Sequence, residues 1–490
     1  MIVVIGAGPI GIYTAERLIR LGHKVTLLES GNLEQESSLI SRDSYLFKSE
    51  SAIPPNVHRV GGGSNYWHAR FGEFLDEDFQ NIDGLNVEGW PYPKSALSPH
   101  YKTISQELTG IALSDDEYLD NFMSHLKKDL HPDLALRLFR FAEEFSFVDR
   151  LANFRENLNF TLITNCRVDS ISPAGNLDDA KYVCNLTSNS GITEIHGTEI
   201  IICAGTLQST KLILNSKNLI GVNDKKIVGQ NLMEHLEGFI GTIKVPKSHF
   251  ELANKFVLSH ANRLSGFNAG VGFKLNSNFQ GISELPSLHL ELRRRPRIIK
   301  ASSHIGSIKV PNPLQILERV SKLMSEKILD IVDFFRGIRT FGLWVKSEEF
   351  GNSNSRVFIS THTSGEVLVY DHQVSDLTYS KLFEVIEILV PRVAQMFNAK
   401  ITIYEWVKNQ SRNPRFETNW HPMGTLPMGS NADTSICDSA LQLHSNDGVF
   451  VLSPAVFKRG SNGNPTFTTL ALASKLLDEK FSFPRTSKKL

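Results

Sequence analysis

The chain has 490 residues, 41% hydrophobic and 21% charged, the make-up of an ordinary globular protein with room for two or more cores. Lys+Arg and Asp+Glu both total 52, so no net field attracts polyanions and nucleic-acid binding has no compositional support. Cys166, Cys184, Cys203 and Cys437 are widely spaced without a CxxC pair, which argues against a disulfide framework and against zinc.

The apolar start from Met1 to Ala15 lacks a basic leader and runs into Glu16 and Arg17, so it does not read as a signal peptide. No run of 18 apolar residues is present to span a bilayer, and the expected compartment is the cytoplasm. Ile2 to Ile5 is a continuous apolar run, as in a parallel strand buried on both faces. Gly6-Ala7-Gly8-Pro9-Ile10-Gly11 follows, then a helical pattern from Ile12 to Leu21, a break at Gly22-His23, and a second strand from Lys24 to Leu28 that ends in Glu29. Gly6 permits the tight turn, Gly8 lets the backbone approach a pyrophosphate, and Gly11 lets helix pack on strand. Unpaired N–H groups at the helix start favour phosphate, and Glu29 is placed to accept from ribose hydroxyls. This fingerprint does not by itself separate FAD from NAD.

Further along, Val60-Gly61-Gly62-Gly63-Ser64-Asn65-Tyr66-Trp67 is a glycine-rich loop closed by an aromatic residue. Residues 111–155 are rich in Phe and Leu and are expected to be mostly helical, as in a cap. Ile200 to Ser209 reads as a buried strand, a small-residue turn and a helix start, followed by Val228 to His235. Strands are expected at Ser283–Arg293, Ser355–Ser360 and Glu366–Tyr370, and a helix from Asp376 towards Met396. Arg293-Arg294-Arg295-Pro296-Arg297 could meet an acidic substrate or simply be solvated. Leu314, Leu317, Val320, Met324, Ile328, Ile331, Phe335 and Ile338 keep helical spacing, so 313–339 is expected as an amphipathic helix. Interleaved acids weaken an anionic-membrane reading of it, and a cap or subunit contact is preferred.

Near the C-terminus, His421-Pro422-Met423-Gly424-Thr425 offers a histidine. Gly463-Asn464-Pro465-Thr466 offers an amide at a helix start, with Asn at the N-cap, Pro at N1 and an apolar helix from Thr466 to Leu477. An isolated histidine beside Trp420 is usually structural, and Asn-Pro usually just starts a helix. Here the surrounding motifs favour chemistry.

Together these segments resemble the glucose–methanol–choline (GMC) oxidoreductase family, with matches in family order from residue 2 to residue 480. The feel is closest to its pyranose-oxidase-like members. Gly89-Trp90-Pro91-Tyr92 and Pro99-His100-Tyr101 resemble the family's crossover segment. The resemblance implies a Rossmann-like FAD-binding domain, α/β in class, interwoven with a substrate domain built on an antiparallel sheet backed by helices. The implied division is 1–110, 156–237 and 415–490 for FAD, and 111–155 and 238–414 for the substrate cap. The cofactor set it implies is Gly6, Gly8, Gly11, Glu29, Gly61, Gly62, Gly63, Ser64, Asn65, Trp67, Val168, Ala204, Gly205, Ser453, Pro465 and Thr466.

Two departures matter. Tyr66 stands where pyranose oxidases carry the histidine linked to the flavin, and His68 is out of register, so non-covalent FAD is expected. Ser453 stands where an Asp usually contacts the ribityl chain, which leaves FAD binding but makes its strength less certain. His421 matches the family histidine and is the expected base. Asn464 matches a position held by His or Asn and would orient the alcohol oxygen. The helix it opens would stabilise the reduced flavin. His235 is expected to fix a loop, and His58 and His444 to be structural.

The implied activity is oxidation of an alcohol, with a sugar or glycoside preferred and oxygen or a quinone-like acceptor taking the electrons. A sterol or aliphatic alcohol, a lyase using FAD structurally, a flavin binder without turnover and an NAD-dependent dehydrogenase are the alternatives.

Overall fold

A computed structural model describes residues 1–37, 45–47, 57–142, 145–175, 180–221, 224–258, 269–293, 332–333, 335–362, 365–410, 416–418 and 420–482. Ile2–Ile5 is buried at every position and forms the centre of a five-stranded parallel sheet, as its unbroken apolar run requires. The strand order is Val449–Val451, Glu199–Ile202, Ile2–Ile5, Val25–Leu28 and Phe160–Ile163, so the chain returns to this sheet from its far end. The helices Pro9–Arg20 and Gly205–Asn215 start at the carboxyl ends of two of these strands, where α/β sheets bind ligands. The C-terminal helix Pro465–Lys480 packs on Pro9–Arg20 and on Ser98–Thr109. Tyr101 Oη lies 2.9 Å from Thr468 Oγ1, and His100 Nδ1 lies 3.0 Å from Ser474 Oγ.

The second large sheet has eight strands and is mainly antiparallel. Its path runs Lys400–Ile403, Leu236–Pro246, Ile338–Ser347, Leu288–Arg293, Ala269–Leu275, Leu134–Phe141 and Arg70–Phe71, with Val257–Leu258 on its flank. The helix Asp376–Met396 packs behind it, burying Leu382, Val385, Ile386, Leu389 and Val393 in one apolar stripe. Among the described residues there are also two smaller three-stranded sheets, Cys166–Pro173 with Tyr182–Ser188 and Glu194–Gly197, and Arg356–His362 with Gly365–Asp371 and Tyr45–Phe47. The apolar residues form two principal cores, one on the parallel sheet and one between the antiparallel sheet and Asp376–Met396.

Three expectations are corrected. Residues 111–155 are not mostly helical: the helices Asp115–Phe122, Ser124–Lys127 and Phe147–Ala152 flank the strand Leu134–Phe141. That strand shows little polar alternation because both its faces are covered, and Arg137 and Arg140 are themselves buried. The strand expected from Ser283 begins only at Leu288, after a 3-10 turn at Ile282–Glu284. Of the amphipathic stretch, Leu314 to Ile331 lies outside the described residues. Its last member, Ile338, opens a strand after Gly337 turns the chain at φ +66°. Arg293 ends a strand, and Arg294 to Arg297 lie outside the described residues. Among the described residues, no helix is long and apolar enough to cross a membrane.

Candidate active site

The N-terminal turn is built for close approach. Gly6 has φ +98°, and a methyl on Gly11 would fall 1.8 Å from the Gly6 carbonyl oxygen, so both positions require glycine. Gly8 differs: a methyl there would meet no protein atom within 4 Å, leaving its face open at the start of Pro9–Arg20. Glu29 is held by backbone, accepting from Ala7 N–H at 2.8 Å and Gly31 N–H at 3.0 Å. Beyond it, Asn32, Leu33, Arg155, Leu162 and Thr164 line a cleft at the carboxyl end of the sheet.

The second glycine loop folds onto this turn. Gly61 N–H donates to Ala7 O at 2.8 Å, and the Cβ position of Gly62 lies 3.1 Å from Gly8 Cα. Ser64 and Asn65 hold the loop's own shape. Ser64 Oγ donates to Gly61 O at 2.6 Å, and Asn65 Nδ2 donates to Val60 O at 3.0 Å and Gly62 O at 2.8 Å. Trp67 packs against Phe147, ring centroids 5.7 Å apart. Gly63 and Gly205 also have open faces, and Gly205 leaves Ala204 at φ +66° to begin its helix. Val168 sits beside a bulge in Cys166–Pro173, in the sheet flanking that helix. Ser453 is buried and accepts from Ala455 N–H at 3.3 Å, which fixes its turn.

His421 sits in a loop tied on three sides. Its N–H donates to Glu234 Oε2 at 2.8 Å, Thr206 Oγ1 donates to Pro422 O at 2.5 Å, and Met423 exchanges backbone bonds with Met233. Trp420 just before it has φ +68°, a conformation L side chains rarely adopt. His421 Nδ1 lies 3.0 Å from His235 Nδ1, with the rings edge to face at 66°. Burial, then the cations Lys346 and Arg70, hold the His421 imidazole well below its ordinary value. Burial first, then Lys346 and His421, does the same for His235. Both shifts favour neutral rings, and a hydrogen bond between two neutral rings at this distance requires one proton between the two Nδ1 atoms.

Asn464 occupies the N-cap position of Pro465–Lys480, yet its side chain makes no capping bond. Its Oδ1 accepts from Lys346 Nζ at 2.5 Å, and its Nδ2 donates to Arg70 O at 3.1 Å. Pro465 and Thr466 follow it at the start of the helix, where backbone N–H groups remain without a side-chain cap.

Below this pair lies a charged floor of which the sequence singled out only Arg293. Lys346 stands in register with Glu237 on one neighbouring strand and His289 on the other. Burial pulls the Lys346 ammonium down to about 8, against the pull of Glu237. Arg70 lies 3.7 Å over Phe139 and Arg293 3.4 Å over Trp344, and both pair with Glu291. Behind His421, burial pushes Glu234 up to about 7. The signal for these residues was weak: isolated charges at the ends of apolar strands read as solvated edges.

An open glycine turn on a parallel sheet, with buried histidines beside a second sheet, fits a site for a nucleotide cofactor. Residues 375–473 match the model of the GMC oxidoreductase C-terminal region. Two curated relatives are 6'''-hydroxyparomomycin C oxidase of Streptomyces lividus, 28% identical over 29% of each chain, and paromamine 6'-oxidase of Streptomyces fradiae, 28% identical over 22% of this chain and 23% of that one. The matches thus span less than a third of those relatives' length. Among solved structures, the chain is similar to pyridoxine 4-oxidase from Mesorbium loti, with 15% identity, a TM-score of 0.59 and 99% of each chain covered. It is also similar to an FAD-dependent oxidoreductase from Chaetomium thermophilum, with 14% identity, a TM-score of 0.54, and 97% and 98% coverage. Over residues 375–473 the chain matches the GMC oxidoreductases, and FAD is the cofactor that this likeness implies. The open faces of Gly8, Gly63 and Gly205, the cleft beyond Glu29 and the uncapped helix at Pro465 fit that group.

Proposed function

We propose that this protein oxidises the CH–OH group of an alcohol, a sugar or glycoside by preference, with His421 as base and Asn464 orienting the oxygen. The observation that carries the reading is the His421–His235 contact at 3.0 Å. With the shared proton on His421 Nδ1, its Nε2 keeps a lone pair for the hydroxyl proton, and His235 Nδ1 accepts. The depressed value of His421 supports an unprotonated ring at neutral pH. Asn464, its Oδ1 occupied by Lys346, retains one N–H to donate to the alcohol oxygen. Bound FAD supplies the hydride acceptor. The residues that would hold it are Gly6, Gly8, Gly11, Glu29, Gly61 to Asn65, Trp67, Val168, Ala204, Gly205, Ser453, Pro465 and Thr466.

Tyr66, more than half exposed, stands at the position that would carry a flavin-linked histidine, which supports non-covalent binding. The names of the two curated relatives support a sugar-like alcohol. Oxygen or a quinone-like molecule is the proposed electron acceptor. We assign 1–110, 156–237 and 415–490 to the cofactor half, and 111–155 and 238–414 to the substrate half.

Purified protein should be yellow and should release its flavin on denaturation. An alcohol panel should bleach it anaerobically. His421→Ala should stay yellow and resist bleaching; undiminished flavin reduction in that variant would remove His421 from its role.

A further inference from the structure

The amide of Asn464 is held between two groups of opposite hydrogen-bonding character. Lys346 Nζ can only donate and meets Oδ1 at 2.5 Å, whereas the Arg70 carbonyl can only accept and meets Nδ2 at 3.1 Å. A flipped amide would set NH2 against an ammonium and oxygen against a carbonyl, losing both bonds. One orientation is therefore fixed, and it leaves a single N–H of Asn464 uncommitted. Lys346 is buried, as is Glu237, its cross-strand neighbour, whose Oε1 makes no hydrogen bond among the described residues.

The charges around Lys346 come from several elements. Glu237 faces it from Leu236–Pro246, while His289, Glu291 and Arg293 face it from Leu288–Arg293. Arg70 comes from the sheet edge, and His235 and His421 come from the loops above. Glu291 is engaged by Arg70, Arg293 and His289, so its charge is spent within the floor. That leaves Lys346 and Arg70 as the two cations acting on His421.

We propose that Lys346 is a positioning residue for the oxidation: it locks the Asn464 amide as an N–H donor beside His421 and keeps positive charge at the reacting end. The inference rests on the alcohol-oxidation reading given above. A locked donor meets the alcohol oxygen in both ground and reacting states, and it matters most as that oxygen gives up its proton. The same charge disfavours an imidazolium at His421, so the base is ready to accept.

The test uses the holoenzyme and pairs Lys346→Met with Glu237→Gln, so that no buried carboxylate is left alone. The limiting rate of anaerobic flavin reduction should fall roughly tenfold or more, with substrate affinity changed far less. The acidic limb of kcat/KM should move to higher pH, because a cation that opposes imidazolium has been removed. Glu237→Gln alone, which keeps Lys346, should retain most of the rate. A double variant with an unchanged limiting rate and acidic limb overturns the proposal.

A second readout does not depend on turnover. In protein labelled with nitrogen-15 at histidine, the His421 signals are identified by their loss in His421→Gln. Their titration should move upward in the double variant. An unmoved titration overturns the proposal even if no alcohol bleaches the wild type, an outcome that would separately sink the oxidation reading.

Discussion

Gly8 and Gly11 stand three positions apart in one motif, yet the structure gives them different tasks. A methyl on Gly11 would strike the Gly6 carbonyl at 1.8 Å, so Gly11→Ala should distort the turn and destabilise the protein itself. A methyl on Gly8 meets nothing within 4 Å, so Gly8→Ala should leave the apoprotein's thermal midpoint nearly unchanged while weakening FAD binding. Titrating FAD into both apoproteins, alongside thermal melts, separates the two; equal destabilisation would contradict an open face at Gly8. These glycines, His421 and Asn464 were legible because each sits in a local pattern whose spacing carries its meaning. Lys346 and Glu234 were not legible. Lys346 meets Asn464 across 118 positions and Glu234 meets His421 across 187, and nothing beside either residue in the chain announces the contact.

At the scale of elements, the loop leading into Pro465–Lys480 is anchored by buried Arg459. Arg459 donates to both oxygens of Glu348, at 2.9 and 2.7 Å, just past the strand Ile338–Ser347, and its Nη1 donates to Glu77 O and Gln80 O. The helix start that carries Asn464 is thereby tied to the antiparallel sheet. Arg459→Met would leave Glu348 buried without its cation, a loss of about 3–5 kcal/mol. Adding Glu348→Gln should recover much of it, and thermal midpoints of the single and double variants check the pair. The C-terminal helix was readable from Asn-Pro and its apolar run, and so was the parallel strand Ile2–Ile5. The strand Leu134–Phe141 was not, because its polar positions, Arg137 and Arg140, are buried and paired with Asp115. Polar residues in a buried strand mimic the exposed face of a helix when only their order is visible.

Across the whole molecule, buried ionisable groups gather where segments of the two cores meet, and they set how stability depends on pH. Burial pushes Glu73, Asp78 and Glu234 each up to about 7, with Asp115 raising Glu73 further and Glu348 raising Asp78 further. Each keeps its proton in the folded chain at pH values where the unfolded chain has already lost it. The stability this gives is complete below the unfolded carboxylate value and is lost as pH rises through about 7. Burial moves the histidines the other way, His58 to about 4 and His289 to about 3. The unfolded chain takes up protons that these folded rings refuse, so their stability is lost as pH falls below the ordinary histidine value. The two sets therefore oppose each other in mildly acidic solution. Between pH 6.5 and 8 the unfolded histidines shed their remaining protons, so each ring held neutral in the fold regains about 0.4 kcal/mol, while the acids act the other way, joined by His372, which Glu349 raises against its burial. Over that window the three acids remove roughly 2 kcal/mol in all. Calorimetry should find that a Glu234→Gln variant gains on the wild type as pH rises from 6.5 to 8, because it has no carboxyl there to ionise. That variant can still accept from the His421 N–H, and its gain should be about a third of what the three acids remove together. A gap between variant and wild type that stays constant from pH 6.5 to 8 would mean that Glu234 is already ionised in the folded protein, with His421 resting on a charged carboxylate.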